Sequence, residues 1–142
     1  MLPMAGYSGT SLLKKLGIKE GQKIAFLRKP QGYAKNLGKL PVGVSVADQL
    51  SAKDGKKLDW IQLFATSQAG LKRDFLRARK CLASNGSLWI SWPKKSSGVK
   101  TDLNENLVRR IGLALGLVDV KICAVDDTWS ALKFVYRLKD RV

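Results

Sequence analysis

Between residues 58 and 92 the chain spells out a strand, a helix and a second strand with almost nothing between them, and this order restricts the fold more than any other feature. Leu58-Asp-Trp-Ile-Gln-Leu-Phe-Ala65 is a short, nearly continuous apolar run, the pattern of a strand covered on both faces. From Gln68 to Leu82, the residues Leu71, Phe75, Ala78 and Leu82 recur at spacings of four, three and four, which draws one apolar stripe along a helix. Ser84-Asn-Gly86 is expected to close that helix and to open a strand over Ser87 to Trp92. Two buried strands joined by a helix are parallel, because only a crossover returns the chain to the same end of a sheet.

The flanking segments extend the same sheet. Ser11 is expected to cap a short helix over Leu12 to Leu16 that Gly17 stops, since a serine hydroxyl satisfies an open amide and glycine adopts the left-handed exit. Lys23-Ile-Ala-Phe-Leu-Arg28 reads as another doubly covered strand, and Ala34 to Gly38 allows one helical turn at most. Val44-Ser-Val46 is a weaker strand, and Lys53-Asp-Gly-Lys-Lys57 a surface loop. Asp102, with Glu105 three residues later, resembles a capping box for a helix whose stripe is Leu103, Leu107, Ile111 and Leu115, with Val108 alongside and Gly116 as the stop. Val118, Val120, Ile122 and Ala124 alternate and are expected to share one strand face, as are Leu132, Phe134, Tyr136 and Leu138 in a strand over 131–138. No helix separates these last two strands, so they pair antiparallel around Asp126-Asp-Thr-Trp-Ser130.

The expected class is therefore α/β: a single three-layer sandwich with a mainly parallel sheet closed by a C-terminal antiparallel hairpin. Residues 1–20 form a lead with a short helix, and residues 21–142 form the domain. At 142 residues such a chain buries about two thirds of its unfolded surface, enough for a core.

Composition removes several chemistries. The chain has no histidine, which excludes His-based triads, His metal ligands and the usual neutral-pH base. Cys81 and Cys123 lie outside any CxxC pair, so zinc and cluster sites have no ligand set, and both read as small core residues. Lys and Arg number 26 against 11 Asp and Glu, for a formal charge of +15. The excess lies in residues 1–100, with 19 basic against 5 acidic groups. A field of this sign attracts polyanions. The start of the chain lacks the basic and apolar regions of a signal peptide, and no apolar run reaches the roughly 18 residues of a membrane helix. A cytoplasmic protein without membrane contact is expected.

The closing hairpin, the junction Leu82-Ala-Ser-Asn-Gly-Ser-Leu-Trp-Ile90 and Asp59 opening an apolar strand resemble class I S-adenosylmethionine-dependent methyltransferases over roughly residues 20 to 138. That resemblance implies a Rossmann-like fold of degenerate methyltransferase topology. It also implies a glycine-rich loop after the first strand, because the cofactor lies against bare backbone. Here that place reads Arg28-Lys-Pro-Gln-Gly-Tyr33, and the third strand is missing. Asp48, after the second strand, stands where the ribose-binding carboxylate would be. The motifs Ala5-Gly-Tyr-Ser-Gly-Thr10, Lys15-Leu-Gly-Ile18, Ser91-Trp-Pro-Lys-Lys95 with Ser97-Gly98, Val118-Asp-Val-Lys121, Cys123-Ala-Val-Asp126 and Thr128-Trp-Ser130 are similar to a bacterial family catalogued as a domain of unknown function (DUF 3052). It implies a Rossmann-like fold and brings no catalytic residues.

In an open parallel sheet, ligands lie beyond the carboxyl ends of the strands where the strand order reverses. The expected rim brings together Arg28, Lys29, Tyr33, Thr66, Ser67, Ser91, Trp92, Lys94, Lys95, Asp126 and Trp129. Cations, hydroxyls and flat aromatic rings on one edge suit a phosphate-bearing ligand. Ser91 and Cys123 have no base at motif spacing, which leaves nucleophilic catalysis unsupported, and adjacent Asp126 and Asp127 suit a turn. The reading is a non-catalytic Rossmann-like binding module for an anionic ligand, a nucleotide or nucleic acid, with no cofactor of its own. The alternatives are a small methyltransferase using S-adenosylmethionine through a degenerate loop, and an interaction protein whose partner supplies the chemistry. The basic face of the helix over 68–82 is read mainly as solvated, with phosphate contact as the alternative.

Overall fold

Leu16, at the end of a single helical turn, offers its carbonyl to two tryptophans at once: the indole N–H groups of Trp60 and Trp89 donate to it at 2.8 and 2.9 Å. Those tryptophans sit on adjacent parallel strands of one sheet. The computed structural model describes residues 11–50 and 58–141; the lead Met1–Thr10 and the loop Lys53–Lys57 lie outside the described residues. The strands are β1 (Lys23–Leu27), β2 (Ser45–Val46), β3 (Leu58–Phe64), β4 (Leu82–Pro93), β5 (Leu117–Ala124) and β6 (Trp129–Tyr136). Their order across the sheet is β2-β1-β3-β4-β6-β5. The first three pairings are parallel, and β6 is antiparallel to both β4 and β5.

Helices α3 (Gln68–Cys81) and α4 (Glu105–Ala114) cover one face of the sheet, and the short α1 (Leu12–Leu16) and α2 (Tyr33–Leu37) cover the other. The α3 stripe behaves as its spacing requires: Leu71, Phe75 and Ala78 are buried, with Leu82 following. On α4, Val108 and Ile111 are buried and Gly112 lies so close to β6 that a Cβ there would fall 2.1 Å from the Phe134 ring. Only glycine lets that helix sit at this depth. The opposite layer holds Ile24, Tyr33, Trp60, Phe64 and Trp89 around Leu16. Each such large side chain contributes about 1.5–3 kcal/mol when enclosed. Cys81 and Cys123 are buried in opposite layers, and no described helix is long and apolar enough to cross a membrane.

Four local expectations are corrected. Residues Ser84–Gly86 do not break the chain; β4 begins at Leu82, directly after α3, and a bulge carries the pairing from Leu58↔Leu82 to Trp60↔Ser87. Gly86 permits this, because a Cβ there would meet the Asp59 carbonyl at 3.0 Å and the Leu82 side chain at 2.8 Å. Asp102 does not cap α4. Asn104 does, through the Leu107 amide, while Asp102 reaches the first amide of α3 at Gln68. On β5, an irregularity between Asp119 and Lys121 breaks the alternation, so Val120 and Ile122 are about half exposed and Leu117 and Cys123 turn inward. Finally β6 ends at Tyr136, and Leu138 is exposed in a following 3-10 turn.

Candidate functional site

The strand order reverses between β1 and β3. Beyond the carboxyl ends of those strands lies a cavity of about 260 Å³, lined by residues that include Arg28, Thr66, Ser67, Arg73, Asp74 and Trp129. Arg28 leaves β1 with φ +59°, the one non-glycine residue with positive φ among the described residues. Its guanidinium crosses to α3 and donates to Asp74 at 2.5 Å. Asp74 also takes Arg73 at 3.2 Å and Arg77 at 3.5 Å. Its side chain is fully enclosed, while the three arginines are 50–59% exposed. Burial opposes the charge on Asp74, but the hydrogen bonds from Arg28 and Arg73 outweigh it and hold the carboxyl below its ordinary range. The same bond to Asp74 raises Arg28. One carboxylate among three cations leaves an excess of two positive charges facing solvent.

On the other side of the sheet end the space is filled. The Tyr33 ring packs edge-on against Phe26 of β1 and Phe64 of β3, with centroids 6.0 and 4.9 Å away. Its hydroxyl donates to Gln62 Oε1 at 2.7 Å, and Gln62 Nε2 donates to Ser91 Oγ at 2.9 Å. This buried chain of three polar groups crosses from α2 through β3 to β4. Burial keeps the Tyr33 phenol protonated well above its ordinary pKa despite the Gln62 hydrogen bond.

Of the residues expected on one rim, the cavity gathers Arg28, Thr66, Ser67 and Trp129. Tyr33 and Ser91 lie beneath it as buried, mutually connected polar groups rather than as ligand contacts. Trp92 is 5% exposed and packs in the layer under α3 and α4, so its ring is not offered as a stacking surface. Lys94 and Lys95 lie outside the cavity lining; the Lys94 amide donates to Thr128, and Lys95 starts a 3-10 turn. Lys29 extends over the Phe26 ring at 5.2 Å. Asp126 accepts from the amides of Thr128 and Trp129, both at 2.8 Å, and so fixes the hairpin tip. Asp48 is exposed beyond β2 and outside the lining. The amino end of α3 is also taken: Ser67 accepts from the Gly70 amide and Asp102 from that of Gln68. Sequence reasoning missed Gln62 and Asp74, and placed Arg73 on the basic helix face read mainly as solvated. Among the described residues no group of His, Cys, Asp and Glu could hold a metal ion.

No family model matches the chain, and no curated protein does; the likeness to the domain of unknown function rests on the short motifs alone. Solved structures do match. A putative type 11 methyltransferase from Sulfolobus solfataricus superposes with a TM-score of 0.63 at 12% identity, over 89% of each chain. DhpI, solved in complex with SAH, gives 0.62 at 13% over 89% of this chain and 81% of its own. A TehB-like S-adenosylmethionine-dependent methyltransferase from Corynebacterium glutamicum gives 0.56 at 12%, over 89% and 85%. The fold is that of these methyltransferases. At such identities the likeness establishes the architecture and leaves the chemistry to the residues present.

Among the described residues, those at the carboxyl ends of β1 and β3 do not form the glycine-rich cradle that the methyltransferase resemblance implies. The β1–α2 connection has a single glycine, Gly32, Tyr33 occupies the space above β1 and β3, and the Arg28–Asp74 bridge spans the opening. The remaining cavity falls short of the roughly 300–1,000 Å³ typical of small-molecule sites.

Proposed function

We propose that this protein is a methyltransferase-fold module that binds a phosphate group at the carboxyl edge of its sheet and carries out no methyl transfer. The observation that carries the reading is the convergence of Arg28, Arg73 and Arg77 on one enclosed carboxylate beside the cavity. A guanidinium has five N–H donors in a rigid fork that matches phosphate geometry. Each arginine gives Asp74 only part of that set and is half exposed; Arg28 and Arg73 line the cavity, so their remaining donors are available at its mouth, with Arg77 beside them on α3. Asp74 limits the freedom of three long side chains before any ligand arrives, which reduces the entropy lost on binding. Thr66 and Ser67 add hydroxyl groups to the same wall.

A second reading, an S-adenosylmethionine-dependent methyltransferase, is favoured by the identity of the structural neighbours. Taken alone, they favour it over a binding module. It requires Tyr33 and Arg28 to leave the positions that their partners hold. Calorimetry separates the two. The phosphate reading expects heat on titrating pyrophosphate, with an affinity that falls steeply as salt is raised, and none with millimolar S-adenosylmethionine. Cofactor binding with no response to pyrophosphate would reverse the choice.

A further inference from the structure

We infer that the phosphate is presented by a single strand of nucleic acid, whose backbone runs from the Arg28–Arg73 pair along the exposed face of α3 while one base stacks on Trp129; the inference rests on the phosphate-binding reading above. Size points this way first. A cavity of about 260 Å³ is smaller than the usual small-molecule site, so it suits part of a longer ligand better than a whole nucleotide.

Charge points the same way. Helix α3 carries Lys72, Arg73, Arg77, Arg79 and Lys80 against one acid, the enclosed Asp74. Arg79 is turned to the Leu115 carbonyl, whereas Lys72, Arg73, Arg77 and Lys80 are exposed. Arg73, Arg77 and Lys80 follow one another at spacings of four and three, a row about 10 Å long on one helix face. The row begins at the cavity wall, and among the described residues no exposed carboxylate of α3 interrupts it.

The third observation is the aromatic group. Three of the four tryptophans, Trp60, Trp89 and Trp92, are buried. Trp129 is only partly buried and lines the same cavity as Arg28 and Arg73. Phe64 packs against it edge-on at 5.1 Å, and the Asp126 side chain holds its amide. A fixed ring beside a basic groove is the usual arrangement for stacking an unpaired base, and a duplex has no free base face to offer it.

Fluorescence anisotropy with short labelled oligo-dT and oligo-U, and with a hairpin duplex of equal length, tests the inference. The single strands should bind more tightly than the duplex and quench tryptophan emission. Arg73→Gln/Arg77→Gln should flatten the plot of log K against log salt by about 1.4, from about 0.7 for each lost phosphate contact. Trp129→Leu should weaken binding about tenfold or more and remove the quenching. The salt slope and quenching of the unaltered protein remain informative should Trp129→Leu fail to fold. Equal or tighter duplex binding, or an unchanged slope in the double variant, would overturn the inference. Pyrophosphate binding that depends on Arg73 and Arg77, without any gain for oligonucleotides, would overturn it while leaving the phosphate reading intact. Failure of both probes would remove both.

Discussion

Arg28 Nε donates to Asp74 Oδ2 at 2.5 Å across 46 positions of sequence, tying the end of the first strand to the middle of α3. Both residues line the cavity beyond the carboxyl ends of β1 and β3. The bond also accounts for a bulky residue at φ +59°, a conformation that costs of order 1–3 kcal/mol and persists only where the surroundings enforce it.

Replacing the carboxylate should therefore cost stability. Asp74→Asn keeps the shape but leaves three arginines converging on a neutral group. The aspartate is enclosed and its partners half exposed, so solvent screening discounts the full penalty of a broken buried pair. The expected loss is about 1–3 kcal/mol, read as a lower urea midpoint with unchanged slope.

The same group sets an acid limit. Because the folded state holds Asp74 below its ordinary value of 3.8, its contribution is complete at neutral pH and is lost as pH falls below about 4 toward the folded pKa. Urea midpoints measured from pH 7 to pH 2.5 should fall more steeply for the native sequence than for Asp74→Asn. Parallel curves would place the acid sensitivity elsewhere.

Tyr33 sets the opposite limit. Its phenol is held protonated by burial, so the stability it brings is complete below its unfolded pKa of about 10 and decreases as pH rises beyond it. Ultraviolet titration should show the Tyr33 phenol failing to ionise until the protein unfolds. Gln62→Leu should strand both the Tyr33 and Ser91 hydroxyls and cost about 1–3 kcal/mol.

At Gly112 a methyl group would fall 2.1 Å from the Phe134 ring. Gly112→Ala, which normally favours a helix by about 1 kcal/mol, should here destabilise by about 1–3 kcal/mol as α4 is pushed off β6. A lowered melting temperature checks it, and a raised one would show that the helix shifts freely.

The strand and helix order was legible because apolar period and crossover geometry act locally. The stripe of α3 and the antiparallel ending are both visible in spacing alone. Caps and register depend on distant partners: Asp102 looks like a cap for α4 until α3 is placed beside it, and the β5 irregularity turns Val120 and Ile122 outward. Of the eleven residues expected on the rim, four line the cavity. Arg28, Thr66, Ser67 and Trp129 follow from the strand ends, but Trp92 falls on the inward face of its strand. Asp74 did leave a signal, an acid at an apolar stripe position between Leu71 and Phe75, and Gln62 another, an amide inside a buried strand. Each marks a buried polar group that must find a partner, and neither names that partner.

In the proposed function, phosphate, and not S-adenosylmethionine, engages the carboxyl edge of the sheet through these arginines. Nuclear magnetic resonance of the arginine Nε–Hε groups and the backbone amides reads both ligands in one sample. Pyrophosphate is expected to shift the Nε–Hε signals of Arg28, Arg73 and Arg77, while S-adenosylmethionine leaves the amides from Leu27 to Tyr33 unmoved. Shifts across those amides with the cofactor, and still arginines with pyrophosphate, would contradict the proposed function.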